Sequence, residues 1–311
     1  MGELRRWLAD RTAFVAIGAL LAPVAISLVG LGVVSLLPEG GGASHHPLAR
    51  APLLSPQDVR PLAPAPADQV VPPGRAQVRV PILEYHYVRV NPDPHDKLGF
   101  NLSVTPADFV AQMDWLRASG YHPIDLAELR SYFSERAPLP ARPVVLTFDD
   151  GYDDFFAAAF PVLRAHAFRA VSYVVPGFLD RPRYMTSAQV REVDAGGVEV
   201  AAHTLHHVDL TKASPAELAL EIQGSRNALE QIVGHQVLDF CYPSGKFDPA
   251  VVAEVARAGL QSATTEQPGA EMAWSTRLTW PRVRVMGGER LEQFVASLGA
   301  PEPTVASSPD V

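Results

Sequence analysis

Leu146-Thr147-Phe148-Asp149-Asp150-Gly151-Tyr152-Asp153-Asp154 is the stretch on which the reading of the fold turns. An apolar run from Pro143 to Phe148 leads straight into two adjacent carboxylates and a glycine. A short continuous apolar run bounded by a turn signal fits a strand buried on both faces. In parallel α/β folds the C-terminal strand ends carry the catalytic loops, and here that end carries charge. Gly151 lets the backbone turn while both acids approach one centre. Successive strand residues point to opposite sides, so Asp149 and Asp150 can take different roles. Asp153 and Asp154 fit a helix cap, since acids are favoured in a first helical turn, but Asp149 and Asp150 precede the turn and a cap does not account for them.

Outward from this stretch, short β-branched runs alternate with longer helical patterns, the signature of βα units and a parallel sheet. The candidate strands are Val78 to Tyr87, Pro143 to Phe148, Ala170 to Val175, Glu199 to Ala202, Gln236 to Cys241 and the segment near Ser262 to Thr264. Helices are expected at Thr105 to Ser119, Asp154 to Ala165, Ser187 to Ala195, Ser214 to Val233 and Pro249 to Ala258, the first with Thr105 as cap and Pro106 in its first turn. Residues 78–300 therefore read as one α/β domain whose natural closure is a barrel-like ring.

A second chemical cluster lies at Val198-Glu-Val-Ala-Ala-His203-Thr-Leu-His206-His207, again an apolar strand running into polar residues. Neutral imidazole is the commonest metal ligand, and one carboxylate with two histidines describes a hydrolytic metal site. A surface loop or a supporting histidine is the alternative for any one of these rings. Together with the acid pair on another strand end, His203 and His207 read as metal ligands.

The flanks differ from this domain. Ala13 to Leu37 is an uncharged apolar run longer than the roughly 20 residues that cross a bilayer. Arg5, Arg6 and Arg11 precede it and no Lys or Arg follows before Arg50, so residues 1–12 are expected in the cytoplasm. Residues 13–37 then form a transmembrane anchor, too long for the apolar core of a cleaved signal peptide. Residues 38–77, rich in Pro, Ala and Gly, read as a linker, and 301–311 as a disordered tail. The expected location is the cell membrane, single-pass, with the domain on the extracytoplasmic side. The 34 acidic against 26 basic residues, net −8, disfavour a nucleic-acid partner. The single cysteine, Cys241, cannot form an internal disulfide and reads as a small buried core residue.

Thr147-Phe-Asp-Asp-Gly151 and His203-Thr-Leu-His-His207 resemble two motifs of the polysaccharide deacetylase family, carbohydrate esterase family four, over roughly Val80 to Val285. The resemblance implies an irregular (β/α)₇ barrel, with Asp149 as general base and Asp150, His203 and His207 holding a divalent metal, often zinc. His206 is then a neighbour of the ligands. Val80-Pro-Ile-Leu-Glu-Tyr-His86-Tyr resembles the opening strand of the exopolysaccharide-deacetylase branch, which implies His86 as general acid. Its alternative is an aromatic-flanked core histidine at a strand end. Phe240-Cys-Tyr-Pro-Ser-Gly245 resembles the third motif, but Cys241 or its neighbours stand where many members carry a base-orienting arginine. Pro281-Arg282-Val-Arg284-Val resembles the fourth; an arginine there could orient Asp149, or both could be solvated strand residues.

These readings imply metal-dependent removal of N-acetyl groups from a surface or cell-wall polysaccharide. Backbone N–H groups near Tyr242 would complete an oxyanion pocket, and Tyr87, Tyr152, Tyr242 and Trp274 could stack on sugar rings, with core packing as the default alternative for each. The alternatives are a non-catalytic carbohydrate-binding or scaffold barrel and a glycosidase; paired glycosidase acids sit on separate elements, which adjacent Asp149 and Asp150 do not match.

Overall fold

The computed structural model describes residues 70–71 and 73–299. Seven parallel strands make a closed ring: Ile82–Tyr85 (β1), Pro143–Phe148 (β2), Ala170–Val174 (β3), Val198–Ala202 (β4), Asp239–Cys241 (β5), Ser262–Pro268 (β6) and Trp280–Arg284 (β7). Each pairs with the next in chain order, and β7 closes the ring on β1, with Val283 opposite Leu83. The ring is irregular between β2 and β3. Those strands pair only at Thr147–Val171 and Phe148–Ser172, while the start of β2 pairs with a short extra strand, His122–Ile124.

Strand alternation sorts the core into two layers. Ile82, Val145, Val171, Tyr173, Ala201, Cys241 and Trp280 form one apolar cluster. Their neighbours Leu83, Val144, Leu146, Val200, Phe240 and Ala263 belong to another, shared with the helices. The first fills the barrel and the second seals the helices onto it. Every residue of β2 is buried, as a strand covered on both faces requires. By the same alternation Val145, Thr147 and Asp149 share the interior side, which carries a carboxylate to the mouth of the barrel.

The surrounding helices are Pro106–Ala118 (α1), Leu126–Ser134 (α2), Phe160–His166 (α3), Ser187–Ala195 (α4), Pro215–Val233 (α5), Pro249–Arg257 (α6) and Leu291–Ser297 (α7). Their starts follow the side chains available to cap them. Thr105 accepts the Asp108 N–H at 3.1 Å, with Pro106 opening α1. Ser214 with Glu217 and Thr186 with Gln189 form reciprocal capping boxes before α5 and α4.

The expected Val78 to Tyr87 strand is broken at Pro81. Gln77–Arg79 pairs antiparallel with Glu271–Ala273, and only Ile82–Tyr85 enters the ring. The expected helix over Asp154 to Ala165 begins as a wide turn, Phe155–Ala159, before α3. Pro161 has no N–H to give the carbonyl four residues back, and the turn before it widens. Val70 and Val71 pair with Pro140 and Leu139, so ordered structure reaches into the segment read as linker. Among the described residues no helix is long and apolar enough to cross a membrane. The Ala13 to Leu37 run and the 301–311 tail lie outside the described residues.

Candidate active site

Four strand ends bring the site together: β1 supplies Glu84 and leads into His86, β2 leads into Asp149 and Asp150, β4 leads into His203, and β7 carries Arg282. Asp149 is fixed at its backbone by an N–H bond to Tyr85 O of 2.9 Å. Its two carboxylate oxygens accept from Arg282 Nη1 at 2.7 Å and Nη2 at 2.8 Å. Arg282 also donates Nε–H to Thr265 O at 2.9 Å and Nη1–H to Thr147 Oγ1 at 3.2 Å, and its Nη2 lies 3.4 Å from Glu84 Oε2. The guanidinium is fully enclosed, so its planar fork meets partners on every side. Burial alone would raise the Asp149 carboxyl; the Arg282 charge and its two bonds outweigh that and hold it well below the usual carboxylate range. Of the two readings of Arg282, a solvated strand residue and an orienting group, the structure selects the second. Arg284 is partly exposed and pairs instead with Glu84 and Glu266, each at 2.6 Å.

The turn after Asp149 is tight, with positive φ at Asp150 (74°) and Gly151 (75°). It brings Asp150 Oδ1 to 3.5 Å from His203 Nε2 and 3.3 Å from His207 Nε2. His203 Nδ1 bonds to the Cys241 carbonyl at 2.8 Å, which assigns the proton to Nδ1 and leaves Nε2 a lone pair facing Asp150. The three donor atoms lie within 4.8 Å of one another, and Asp150 Oδ1 is buried without a hydrogen-bond partner. A buried carboxylate oxygen left unbonded between two imidazoles is costly unless something cationic completes it. Donors about 2.0–2.2 Å from a tetrahedral ion stand about 3.4 Å apart, which the two measured separations match. These residues therefore fit a divalent ion.

His86 is largely buried at the same mouth. Its Nε2 is 3.9 Å from Asp149 Oδ2 and its Nδ1 is 4.0 Å from Glu84 Oε1. Glu84 is the residue that reading the sequence passed over. It sits two positions before His86 at the end of β1, and burial raises its carboxyl although Arg282 opposes the shift. His206 turns away from the three donors to Glu221, as a neighbour should.

The Tyr242 N–H itself is bonded to Thr264 O at 3.2 Å, so of the backbone groups near Tyr242 this one is not a free donor. The aromatic side chains pack on one another or on the core. Tyr87 and Tyr152 stack with centroids 3.8 Å apart, Tyr184 lies 5.2 Å beyond Tyr152, and Arg89 covers Tyr87 at 3.3 Å. Tyr242 is buried with its hydroxyl on Leu278 O, and Trp274 packs beside Phe133 under Arg277. Cys241 is wholly buried, and burial pushes its thiol up, so it stays protonated and inert as a core residue.

Comparison with known proteins agrees with this geometry. Residues 136–263 match the family model described as polysaccharide deacetylase. A Bacillus subtilis chain carrying the polysaccharide deacetylase name, YxkH, is 26% identical over 223 residues, 71% of this chain and 77% of that one. The poly-β-1,6-N-acetyl-D-glucosamine N-deacetylase of Escherichia coli is 37% identical over 119 residues, which is 33% of this chain and only 18% of that protein. The crystal structure of a polysaccharide deacetylase from Bacillus cereus superimposes with a TM-score of 0.63 at 30% identity, covering 71% of this chain and 69% of that one. The chain belongs to the polysaccharide deacetylase family.

Proposed function

We propose that the protein is a metal-dependent N-deacetylase of an N-acetylglucosamine-type polysaccharide, acting outside the cytoplasm from an anchor formed by Ala13 to Leu37. The observation that carries the proposal is the unbonded, buried Asp150 Oδ1 set between His203 and His207 beside a carboxylate, Asp149, that Arg282 keeps ionised. The 37% identity to a protein named for poly-β-1,6-N-acetyl-D-glucosamine supports this substrate class.

A divalent ion, zinc in this reading, held by Asp150, His203 and His207 would supply a Lewis acid that acidifies water and polarises the acetyl carbonyl. Asp149 takes the proton of the attacking water on its carboxylate as the water oxygen bonds to the carbonyl carbon. Arg282 holds both Asp149 oxygens in one orientation throughout, so no motion of the base is needed. His86 gives a proton to the sugar nitrogen as the C–N bond breaks, releasing acetate and a free amine. Arg282 supplies a guanidinium to Asp149 from β7, which supports the catalytic reading over a non-catalytic barrel.

The test is acetate release by the purified full-length protein from β-1,6- and β-1,4-linked N-acetylglucosamine oligomers, with chelator and Asp149→Asn as controls. Release that stops in both controls is the expected result. Release that survives both would sink the assignment.

A further inference from the structure

The turn that carries two of the three donors, His203 to His207, is under backbone strain. Thr204 (φ 62°) and His207 (φ 55°) both occupy the left-handed region, which costs of order 1–3 kcal/mol per residue and persists only where the surroundings impose it. One bond within the turn and one to β3 account for part of this: His207 N–H donates to Thr204 Oγ1 at 2.8 Å, and His203 N–H to Val174 O at 3.2 Å. Further bonds to the turn come from Glu221, a buried acid on α5.

Glu221 grips the turn at three points. Its Oε2 accepts the His206 N–H at 2.8 Å, its Oε1 meets His206 Nδ1 at 2.8 Å, and its main-chain carbonyl accepts the Leu205 N–H at 3.0 Å. From the opposite side Gly177 donates its N–H to Leu205 O at 3.0 Å. A Cβ at Gly177 would lie 2.3 Å from that oxygen and 2.8 Å from the His206 ring, so only glycine allows this approach. Glu221 and Gly177 thus close on the turn between the two histidines without touching either donor.

The geometry points to Glu221 as a positioning residue for the metal site, one that sets ion affinity by holding the strained His203–His207 turn in its binding shape before the ion arrives. This rests on the reading of Asp150, His203 and His207 as ion ligands. Its logic is that of outer groups elsewhere, whose loss typically costs about 10–100-fold in metal affinity because the ligands must then be ordered at the moment of binding. His206 acts in this account as the handle by which Glu221 holds the turn, and not as a ligand.

The experiment is titration of the metal-free full-length protein with Co²⁺, followed by its visible absorption, for wild type, Glu221→Ala, Glu221→Gln and Gly177→Ala. The wild type is expected to bind one ion. Glu221→Ala and Gly177→Ala are expected to bind 10- to 100-fold more weakly, with Glu221→Gln between, because the amide keeps one acceptor for the His206 N–H. Acetate release should recover close to the wild-type kcat once metal is saturating, which a general loss of stability would not give. If Glu221→Ala does not fold, Glu221→Gln and Gly177→Ala carry the comparison. Unchanged affinity in the folded variants overturns the role of Glu221 and leaves the deacetylase reading standing. A wild type that takes up no ion overturns both.

Discussion

Arg282 on β7 reaches across the mouth of the barrel to bond both carboxylate oxygens of Asp149, at 2.7 and 2.8 Å, while the Cys241 thiol on β5 lies 3.8 Å from the same group. A bidentate pair of this kind is stronger than a single-point contact and fixes orientation as well as charge. Replacing Arg282 by Lys keeps the charge but loses the fork. We expect Arg282→Lys to lower kcat/KM by about 10²-fold or more, comparable with losing a well-placed general base. Because Arg282 holds the Asp149 carboxyl down, its loss raises that group, and the acid limb of the pH–rate profile should move to higher pH. Arg282→Ala should in addition cost roughly 3–5 kcal/mol in denaturant unfolding, since Asp149 is left buried without its partner while Glu84 keeps only Arg284 as an arginine partner. An acid limb in the same place as wild type would show that Arg282 does not act on the base.

On the proposed function, removing the divalent ion should affect stability as well as rate. An ion bound only by the folded form stabilises by about 2.7 kcal/mol when its concentration is 100 times its Kd. Chelation is therefore expected to lower Tm and stop acetate release, both restored by adding a divalent ion. In His207→Ala, whose imidazole is one of the three donors, chelation should leave Tm unchanged.

His86 is assigned to the leaving group, so its loss should depend on what leaves. His86→Gln should slow acetate release from N-acetylglucosamine oligomers by about 10²–10⁴-fold, the usual contribution of a positioned acid. Hydrolysis of an aryl acetate, whose departing phenolate needs no proton, should fall far less. Equal losses on the two substrates would place His86 in binding or structure instead.

Asp154 provides a pH test of the fold. Burial pushes its carboxyl up to about 6, against the Val88 N–H that donates to Oδ1 at 3.1 Å. The folded state thus favours the protonated form. Its stabilising contribution is complete below the unfolded value of about 4 and is lost as pH rises through about 6. Asp154→Asn, neutral at every pH and still able to accept from Val88, should be more stable than wild type at pH 8 by roughly 1–2 kcal/mol and no more stable at pH 4. Thermal unfolding at the two pH values checks this.

Much of this architecture is visible in local sequence. Pro143 to Phe148 matches β2 at both ends, and Thr105, Thr186 and Ser214 mark helix starts because capping is a local interaction. The α2 helix went unread although its Asp125–Glu128 capping box is a local signal; its first N–H groups at Leu126 and Ala127 are met in addition by Glu199, more than seventy residues away. In the site, Asp149, Asp150, His203 and His207 were readable because motif and strand end coincide. Glu84 and Glu221 were not, since each looks like an ordinary acid until the fold surrounds it. Arg282 was recognised only as one of two options, because period-2 alternation places it on one side of β7 without saying that this side is the interior.

The guanidinium that meets Asp149 bears on how such chains are recognised. Judged position by position, a third-motif stretch without the expected arginine would count as a lesion in the catalytic apparatus. In three dimensions a positive group does meet that carboxylate, entering from a strand two places further round the cylinder. A comparison that asks which atoms surround the base, instead of which letter fills a column, would class this chain with intact enzymes.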